Sequence, residues 1–161
     1  LFDTRFQIVF DKLGIKADGI AFETAFRENF HESAILVDGA RDLLEYLRSK
    51  YKVYVASNAS MHQQTNRMKK AELDGYIDGY FVSEEIGFPK PQKEFFDACF
   101  KALPDVKPQD VVMIGDSLSA DIKGACEYGL KTIWYNHRNE PTSDVKCDYI
   151  VSRLSEVKNI L

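Results

Sequence analysis

The sequence predicts an α/β fold in which a parallel β-sheet is flanked by helices. From residue 52 onward, short β-branched or aromatic runs alternate with longer amphipathic stretches, which is typical of strands and helices in such a fold. Of the 161 residues, 45% are hydrophobic and 12% are aromatic, enough to bury one substantial core. We therefore expect one domain, with room for a small appendage beside it.

The individual elements follow from the same alternation. Five segments have the length and composition of strands, namely residues 52–56, 80–82, 111–114, 131–135 and 149–151. Helices are predicted at residues 40–49, 61–73, 93–102, 121–128 and 154–160. Gly129 follows the fourth of these helices at the position of a C-terminal cap.

The first 37 residues are predicted to be helical and distinct from the α/β part. Apolar residues recur there at helical spacing, with Gly14 and Gly19 between two groups: Phe6, Val9, Phe10 and Leu13, then Phe22, Phe26 and Phe30. Aromatic stripes of this kind favour a packing face over a substrate contact. The segment around Asp38 is expected to lead back into the α/β part.

Composition argues against several classes of function. The net charge is −4, with 25 acidic and 21 basic residues, so nucleic acid and membrane surfaces are not expected partners. No apolar run approaches the length of a bilayer span. Three cysteines without a CxxC pair suggest neither a disulfide framework nor a zinc site. We expect a soluble, cytoplasmic protein with reduced thiols.

Two carboxylates follow the predicted strand at residues 111–114. Asp116 comes directly after the strand, and Asp121 lies where the next helix begins. Because ligands bind at the carboxyl ends of parallel strands, Asp116 is placed to hold a hard cation and Asp121 to support it. A helix N-terminus also favours aspartate without any metal, so the residues alone leave both interpretations open.

Ser57 and Asn58 follow the strand at residues 52–56 in the same way. Ser57 could donate to a phosphoryl oxygen, as could backbone N–H groups at the start of the following helix. Serine and asparagine are equally common in ordinary loops and helix caps.

Lys90, between Pro89 and Pro91, is a third candidate, because a pre-ordered lysine loses less entropy on meeting a phosphate. Two prolines can also simply form a helix entry.

Taken together, Ser57, Lys90 and the Asp116–Asp121 pair resemble motifs two, three and four of the haloacid dehalogenase (HAD) superfamily. The resemblance covers residues 38–161. Within the superfamily it is nearest to members that act on pyrimidine 5′-monophosphates, through Ser83-Glu84-Glu85-Ile86-Gly87, the run from Gly115 to Ala125, and Trp134-Tyr135-Asn136.

The resemblance implies a Rossmann-like α/β core and a Mg²⁺-dependent phosphatase acting on a small phosphorylated metabolite. It implies that Ser57 and Asn58 bind the phosphoryl group and that Lys90 neutralises its charge. Asp116 would ligate magnesium, with Asp121 as a nearby ligand or supporting partner. These roles suit phosphoryl transfer, in which catalysis is mostly positioning and electrostatic stabilisation.

The family's first motif, a strand ending in Asp-x-Asp, is not found in this sequence. Asp3 is the sole early candidate, and we reject it because only two residues precede it and Arg5 stands at the second aspartate's position. We expect the nucleophile upstream of residue 1, residues 1–37 to be part of a helical cap, and residues 38–161 to be the core without its central strand. Without that strand, the family's sheet would be split.

Three functions remain open at this point. The first is the phosphatase with an aspartyl-phosphate intermediate. The second is a 2-haloacid dehalogenase, which needs no metal and therefore leaves Asp116 and Asp121 without a role. The third is a catalytically inactive binding or regulatory domain, for which the intact Ser57, Lys90 and Asp116 are an argument against. The sequence does not indicate the substrate or the oligomeric state.

Overall fold

The computed structural model describes residues 4–142 and 145–161 and, within these, all side chains except those of residues 30–32. Asp3 therefore lies outside the described residues, as does the side chain of Phe30. Tertiary contacts divide the chain into two units, Leu1–Ile35 and Leu36–Leu161. Among the described residues, no helix is both long and apolar enough to span a bilayer.

The first unit is a pair of helices, α1 (Arg5–Leu13) and α2 (Gly19–Glu32). Gly14 ends α1 in the left-handed conformation, with φ of 67°, which glycine adopts without a steric penalty. The predicted aromatic stripe packs between the two helices. Ring centroids lie 4.8 Å apart for Phe6 and Phe22 and 5.5 Å apart for Phe6 and Phe26.

Glu23 is a buried acid of this unit that the sequence pattern does not reveal. Its side chain accepts hydrogen bonds from Arg5 at 2.6 Å and Arg27 at 2.8 Å. Burial raises the pKa of Glu23, but the hydrogen bonds and charges of Arg27 and Arg5 outweigh it and hold that pKa below its ordinary value. The two helices are therefore joined by a charged cluster as well as by aromatic rings.

In its described residues, the second unit has five strands, which pair in parallel in two sheets. They are β1 (Tyr54–Ser57), β2 (Gly79–Val82), β3 (Val112–Gly115), β4 (Lys131–Tyr135) and β5 (Tyr149–Val151). The first sheet has the order β1-β2, with Ser57 opposite Val82, and the second has the order β3-β4-β5, with Gly115 opposite Trp134. Within the described ranges, no backbone ladder joins β1 to β3.

Helices connect the strands, and all but the short one at Ser83–Ile86 were predicted from the alternating pattern. They are α3 (Ala40–Arg48), α4 (Met61–Lys70), α5 (Ser83–Ile86), α6 (Lys93–Ala102) and α7 (Lys123–Tyr128). Short 3₁₀ helices occupy Asp74–Tyr76, Pro108–Asp110 and Leu154–Asn159, and a π-helical turn occupies Leu118–Ile122. Gly129 ends α7 at a φ of 95°, which confirms the predicted cap.

Two hydrophobic clusters cover opposite faces of the strands. On β3, Val112 and Ile114 pack against the cluster of Leu43, Leu47, Ile133, Val151 and Val157. The intervening residue Met113 packs against the cluster of Phe95, Phe96, Cys99, Ala125 and Leu130. This alternation is that of a strand buried on both faces, so the α/β fold class predicted from the sequence is confirmed.

The observed strand bounds lie within two residues of the predicted ones, and three helical segments differ from the prediction more substantially. The helix predicted at residues 61–73 ends at Lys70, since Glu72 adopts a φ of 55° that cannot continue a right-handed helix. The segment after residue 154 is a 3₁₀ helix rather than an α-helix. The helix expected from residue 121 is preceded by the π-helical turn, which carries Asp121 itself.

Candidate active site

The carboxyl ends of β1 and β3 border a cavity of about 390 Å³. It is lined by Ala56, Ser57, Asn58, Lys90, Ile114, Gly115, Asp116, Ser117, Ala120 and Asp121. All five candidate residues from the sequence are therefore in its wall. A cavity of about 490 Å³ lies elsewhere, beside Cys126, Trp134 and Cys147. The chemistry of the lining, rather than the volume, favours the cavity between the strand ends.

Lys90 bridges the two sheets at this cavity. Its Nζ donates to the carbonyl oxygen of Ala56, at the end of β1, and to Asp121 Oδ1 at 2.7 Å. The side chain is only 7% exposed. A buried ammonium must be paired, and here a carbonyl and a carboxylate occupy two of its three donors. The third N–H is left for a group entering the cavity.

Asn58 holds the backbone of Lys90. Its Nδ2 donates to the carbonyl oxygen of Lys90 at 2.9 Å, and its Oδ1 accepts from the Lys90 N–H at 2.8 Å. The Lys90–Pro91 peptide bond is cis. The amide of Asn58 thus positions Lys90 with one of its two Nδ2 N–H donors, and these two bonds leave the other donor and the backbone of Asn58 to face a phosphoryl group.

Ser57 is oriented by a residue that the sequence did not single out. Its Oγ accepts from Gln64 Nε2 at 2.6 Å and from the N–H of Ala59 at 3.2 Å. A hydroxyl has one donor and two acceptor positions, and both acceptor positions are occupied. The described residues offer no acceptor for the Ser57 O–H, which leaves that proton for a ligand oxygen in the cavity.

Asp116 and Asp121 have contrasting environments. The side chain of Asp116 is 53% exposed, with His137 Nε2 and Arg138 Nη2 each 4.0 Å from its Oδ2. Asp121 is 8% exposed, and both of its oxygens are engaged, Oδ1 by Lys90 and Oδ2 by the N–H of Ser117 at 3.0 Å. Asp116 therefore has an open carboxylate, while that of Asp121 is positioned to support Lys90.

Two glycines allow the close approach of these groups. A Cβ at Gly115 would lie 2.6 Å from Asp121 Cγ, so any side chain there would displace the carboxylate. A Cβ at Gly124 would lie 2.8 Å from the Cα and carbonyl oxygen of Pro91. Helix α7 thus packs directly on the residue that follows Lys90.

Gln64, Gly124 and Trp134 are site-supporting residues that the sequence analysis did not identify as such. Trp134 is buried, and its Nε1 donates to the carbonyl oxygen of Asp116 at 3.1 Å. Gly124 and Trp134 act through contacts with segments distant in sequence, and local patterns carry no signal for such contacts. Only the position of Gln64 in the helix directly after Ser57 could have suggested its role.

Most of the chain matches a known family of hydrolases. Residues 4–129 match the family described as haloacid dehalogenase-like hydrolase. The HAD-hydrolase YfnB of Bacillus subtilis is 36% identical over 160 residues, which cover 99% of this chain and 68% of that protein. The pyrimidine 5′-nucleotidase PynA of Streptococcus pneumoniae is 32% identical over 168 residues, covering 100% of this chain and 71% of the relative.

Solved structures agree on the fold. A crystal structure of YfnB bound to magnesium superposes with a TM-score of 0.93 at 35% identity, covering 99% of this chain and 71% of the other. A phosphoglucomutase-like protein of Thermotoga maritima, at 23% identity and a TM-score of 0.80, shares the fold. The pyrimidine 5′-nucleotidase YjjG of Escherichia coli is a further sequence relative, 29% identical over 98% of this chain and 69% of its own length.

Proposed function

Because the chain belongs to the haloacid dehalogenase-like hydrolases and its relatives include named phosphatases and nucleotidases, we propose that it is a Mg²⁺-dependent phosphomonoester hydrolase. The observation that carries the proposal is the convergence of the Ser57 hydroxyl, the Lys90 ammonium and the open Asp116 carboxylate in one cavity. The hydroxyl and the ammonium can donate hydrogen bonds to phosphoryl oxygens, and the carboxylate can bind the metal counter-ion.

The phosphoryl group would lie between the ends of β1 and β3. Ser57 would donate its free O–H to one equatorial oxygen, and Lys90 would donate its remaining N–H to another. Both donors are fixed before a ligand arrives, Ser57 by Gln64 and Lys90 by Asp121 and Asn58. Preorganised donors of this kind stabilise developing charge without reorganising during the reaction.

The donor set at Asp116 fits magnesium. Mg²⁺ is commonly held by one or two carboxylates together with water and substrate phosphate, and it does not need a cage of protein ligands. Asp116 supplies one open carboxylate, and among the described residues no group of three acidic, histidine or cysteine side chains is placed to hold a metal ion by itself. Asp121 would support the site through Lys90 and Ser117. When bound, magnesium would neutralise charge on the phosphoryl oxygens.

The proposed reaction also needs a carboxylate nucleophile. In it, an aspartate oxygen bonds to phosphorus while the bond to the leaving-group oxygen breaks, and water then releases phosphate and restores the carboxylate. The acidic residues that line the cavity within the described part of the chain are Asp116 and Asp121, to which we assign other roles. We propose that a first-motif strand between β1 and β3 supplies the aspartate, which the lack of a ladder between these described strands supports. Residues 1–37 would then be part of the helical cap.

Nucleoside 5′-monophosphates are the proposed substrates. Two relatives that cover nearly all of this chain, PynA and YjjG, are named pyrimidine 5′-nucleotidases, which supports this class of substrate. Other relatives are named for sugar-phosphate and related substrates, including a glyceraldehyde 3-phosphate phosphatase of Pyrococcus furiosus. Phosphate release from uridine 5′-monophosphate would therefore be compared with release from glyceraldehyde 3-phosphate.

The test of function is phosphate release by the full-length protein with and without Mg²⁺. We expect metal-dependent hydrolysis and a phosphorylated protein that hydroxylamine cleaves, as expected of an acyl phosphate. Asp116→Ala and Lys90→Ala should each lower kcat by at least about 100-fold, the effect typical of removing an electrostatic contributor. Activity that survives both substitutions would overturn the site assignment.

Release of halide from a 2-haloacid would favour the dehalogenase alternative, and absence of both activities would favour an inactive domain.

A further inference from the structure

Arg138 lies beside the metal-binding candidate Asp116 with its hydrogen-bonding capacity unused. Its Nη2 is 4.0 Å from Asp116 Oδ2, and its Nη1 is 3.8 Å from Glu140 Oε1. Both distances exceed hydrogen-bond length, and the described residues accept no hydrogen bond from this guanidinium. Five N–H donors are therefore presented next to the cavity and are available to a ligand.

The turn that presents Arg138 is well defined. Asn136 Nδ2 donates to the carbonyl oxygen of Glu140 at 2.9 Å, and the Glu140 N–H donates to Asn136 Oδ1 at 2.8 Å. Asn139 adopts a left-handed φ of 52°, which asparagine tolerates better than most residues. The backbone N–H of Asn136 donates to the carbonyl oxygen of Val151 in β5 at 2.8 Å. The turn around Arg138 is thus closed by these three hydrogen bonds rather than left as an open loop.

Arg138 and Lys90 occupy opposite environments. Lys90 is 7% exposed and engaged by protein groups, whereas the Arg138 side chain is 65% exposed and outside the lining of the cavity. A phosphoryl group bound by the buried donors would direct the rest of its molecule toward solvent. Arg138 is therefore placed to meet the leaving group rather than the phosphoryl oxygens. His137, whose ring stacks on Tyr135 with centroids 4.9 Å apart, adds a second nitrogen group on the same turn.

We infer that Arg138 is a specificity-determining residue that binds a second anionic group, a carboxylate or a second phosphate, on the leaving group of the substrate. This inference rests on the proposed phosphatase function and concerns phosphomonoesters whose leaving group carries a second anion; the nucleoside of a nucleoside 5′-monophosphate is uncharged and would not engage Arg138 in this way. A guanidinium forms paired hydrogen bonds with such anions, and with a neutral alkyl or aryl leaving group it forms none. A cation bound to Asp116 would also offset the charge of its carboxylate and so weaken its electrostatic attraction for Arg138. The guanidinium would then be able to bind the ligand.

Binding of two matched phosphonates, which a phosphomonoesterase cannot hydrolyse, tests the inference. The probes are 3-phosphonopropionate, with a second anionic group, and propylphosphonate, which has the same chain length and lacks it. Calorimetry would use the full-length protein with Mg²⁺. We expect Arg138→Gln to weaken binding of 3-phosphonopropionate by about fivefold, as suits a partly exposed charged pair, and binding of propylphosphonate by less than about 1.5-fold.

Arg153→Gln is the matched control. Arg153 is an exposed arginine of the same unit, paired with Glu156 at 2.9 Å, and its replacement should leave both affinities unchanged. Equal weakening of the two probes by Arg138→Gln would overturn the inference, as would a wild-type protein that does not prefer the carboxylated probe. Failure of the proposed function would appear differently, as absence of phosphate release from phenyl phosphate while the phosphonate preference persists.

Discussion

The ammonium of Lys90 donates to Asp121 Oδ1 at 2.7 Å, and the two side chains are only 7% and 11% exposed. They approach from different segments, Lys90 from the loop before α6 and Asp121 from the π-helical turn after β3. This buried pair connects the β1-β2 sheet, through the Ala56 carbonyl, with the β3-β4-β5 sheet. It is therefore important for the architecture as well as for the proposed chemistry.

The first prediction concerns the coupling of this pair. Lys90→Met should lower the free energy of unfolding by about 3 kcal/mol, because it leaves the carboxylate of Asp121 buried without its cation. Adding Asp121→Asn removes that isolated charge, so the double variant should be destabilised by about 2 kcal/mol less than the sum of the single variants. Urea unfolding of the four proteins of the cycle measures this. Additive effects would mean that the pair is not coupled.

The second prediction concerns Gly124. Glycine to alanine inside a helix normally stabilises by up to about 1 kcal/mol, but a Cβ at Gly124 would lie 2.8 Å from backbone atoms of Pro91. We expect Gly124→Ala to destabilise the protein by about 1–3 kcal/mol and to lower kcat, because displacement of Pro91 moves Lys90.

Gly75 is the control for this substitution. Nothing lies within 4 Å of a Cβ at Gly75, so Gly75→Ala should change the free energy of unfolding by less than about 0.5 kcal/mol and leave kcat unchanged. Thermal unfolding and initial rates are the measurements. A Gly124→Ala protein as stable and active as the wild type would show that α7 can move away from Pro91 at little cost.

The third prediction concerns the orientation of the Ser57 hydroxyl. Gln64→Glu keeps the shape of the side chain but replaces a donor by an acceptor, so the Ser57 O–H should turn toward residue 64 and away from the cavity. We expect Gln64→Glu to lower kcat/KM more than Gln64→Ala does, with losses of about 30-fold and about fivefold.

His62→Ala is the control, because His62 is exposed on the same helix, α4. It should leave kcat/KM unchanged. Comparison of melting temperatures separates orientation from stability, since Gln64→Glu should affect activity more than it affects stability. If Gln64→Ala proves the more damaging of the two, the residue serves packing rather than orientation.

The fourth prediction concerns the thiols. Burial raises the pKa of Cys99 to about 12, so at pH 8 this residue is almost entirely the unreactive thiol. Because alkylation requires the thiolate, its rate at Cys99 should continue to increase with pH well above pH 9. Cys126 and Cys147 are less buried, and iodoacetamide should modify both before Cys99. Mass spectrometry of timed digests gives the order. Early labelling of Cys99 in folded protein would contradict the packing around α6.

Much of the fold follows from local sequence. The alternation of apolar runs with amphipathic stretches predicts β4 and β5 with their observed bounds, and Gly129 marks the end of α7. These features succeed because hydrophobic periodicity and glycine's access to positive φ are properties of a few neighbouring residues. The boundary at Lys70 and the π-helical turn at Leu118–Ile122 were not predicted, because a left-handed Glu72 and an unusual hydrogen-bond register leave no composition signal.

For the candidate site, local sequence indicates which polar residues follow the strands and which lysine precedes a helix. It identified Ser57 and Asp116 because polar residues after buried strands are recognisable locally, and Lys90 because Pro89 and Pro91 flank it. The arrangement of these groups depends on the tertiary structure: Asn58 holds the Lys90 backbone, Asp121 pairs with its ammonium, and Gln64 directs Ser57. Most of these partners are more than 30 residues apart, and such contacts arise from packing and hydrogen-bond satisfaction across the whole fold, not from any local pattern.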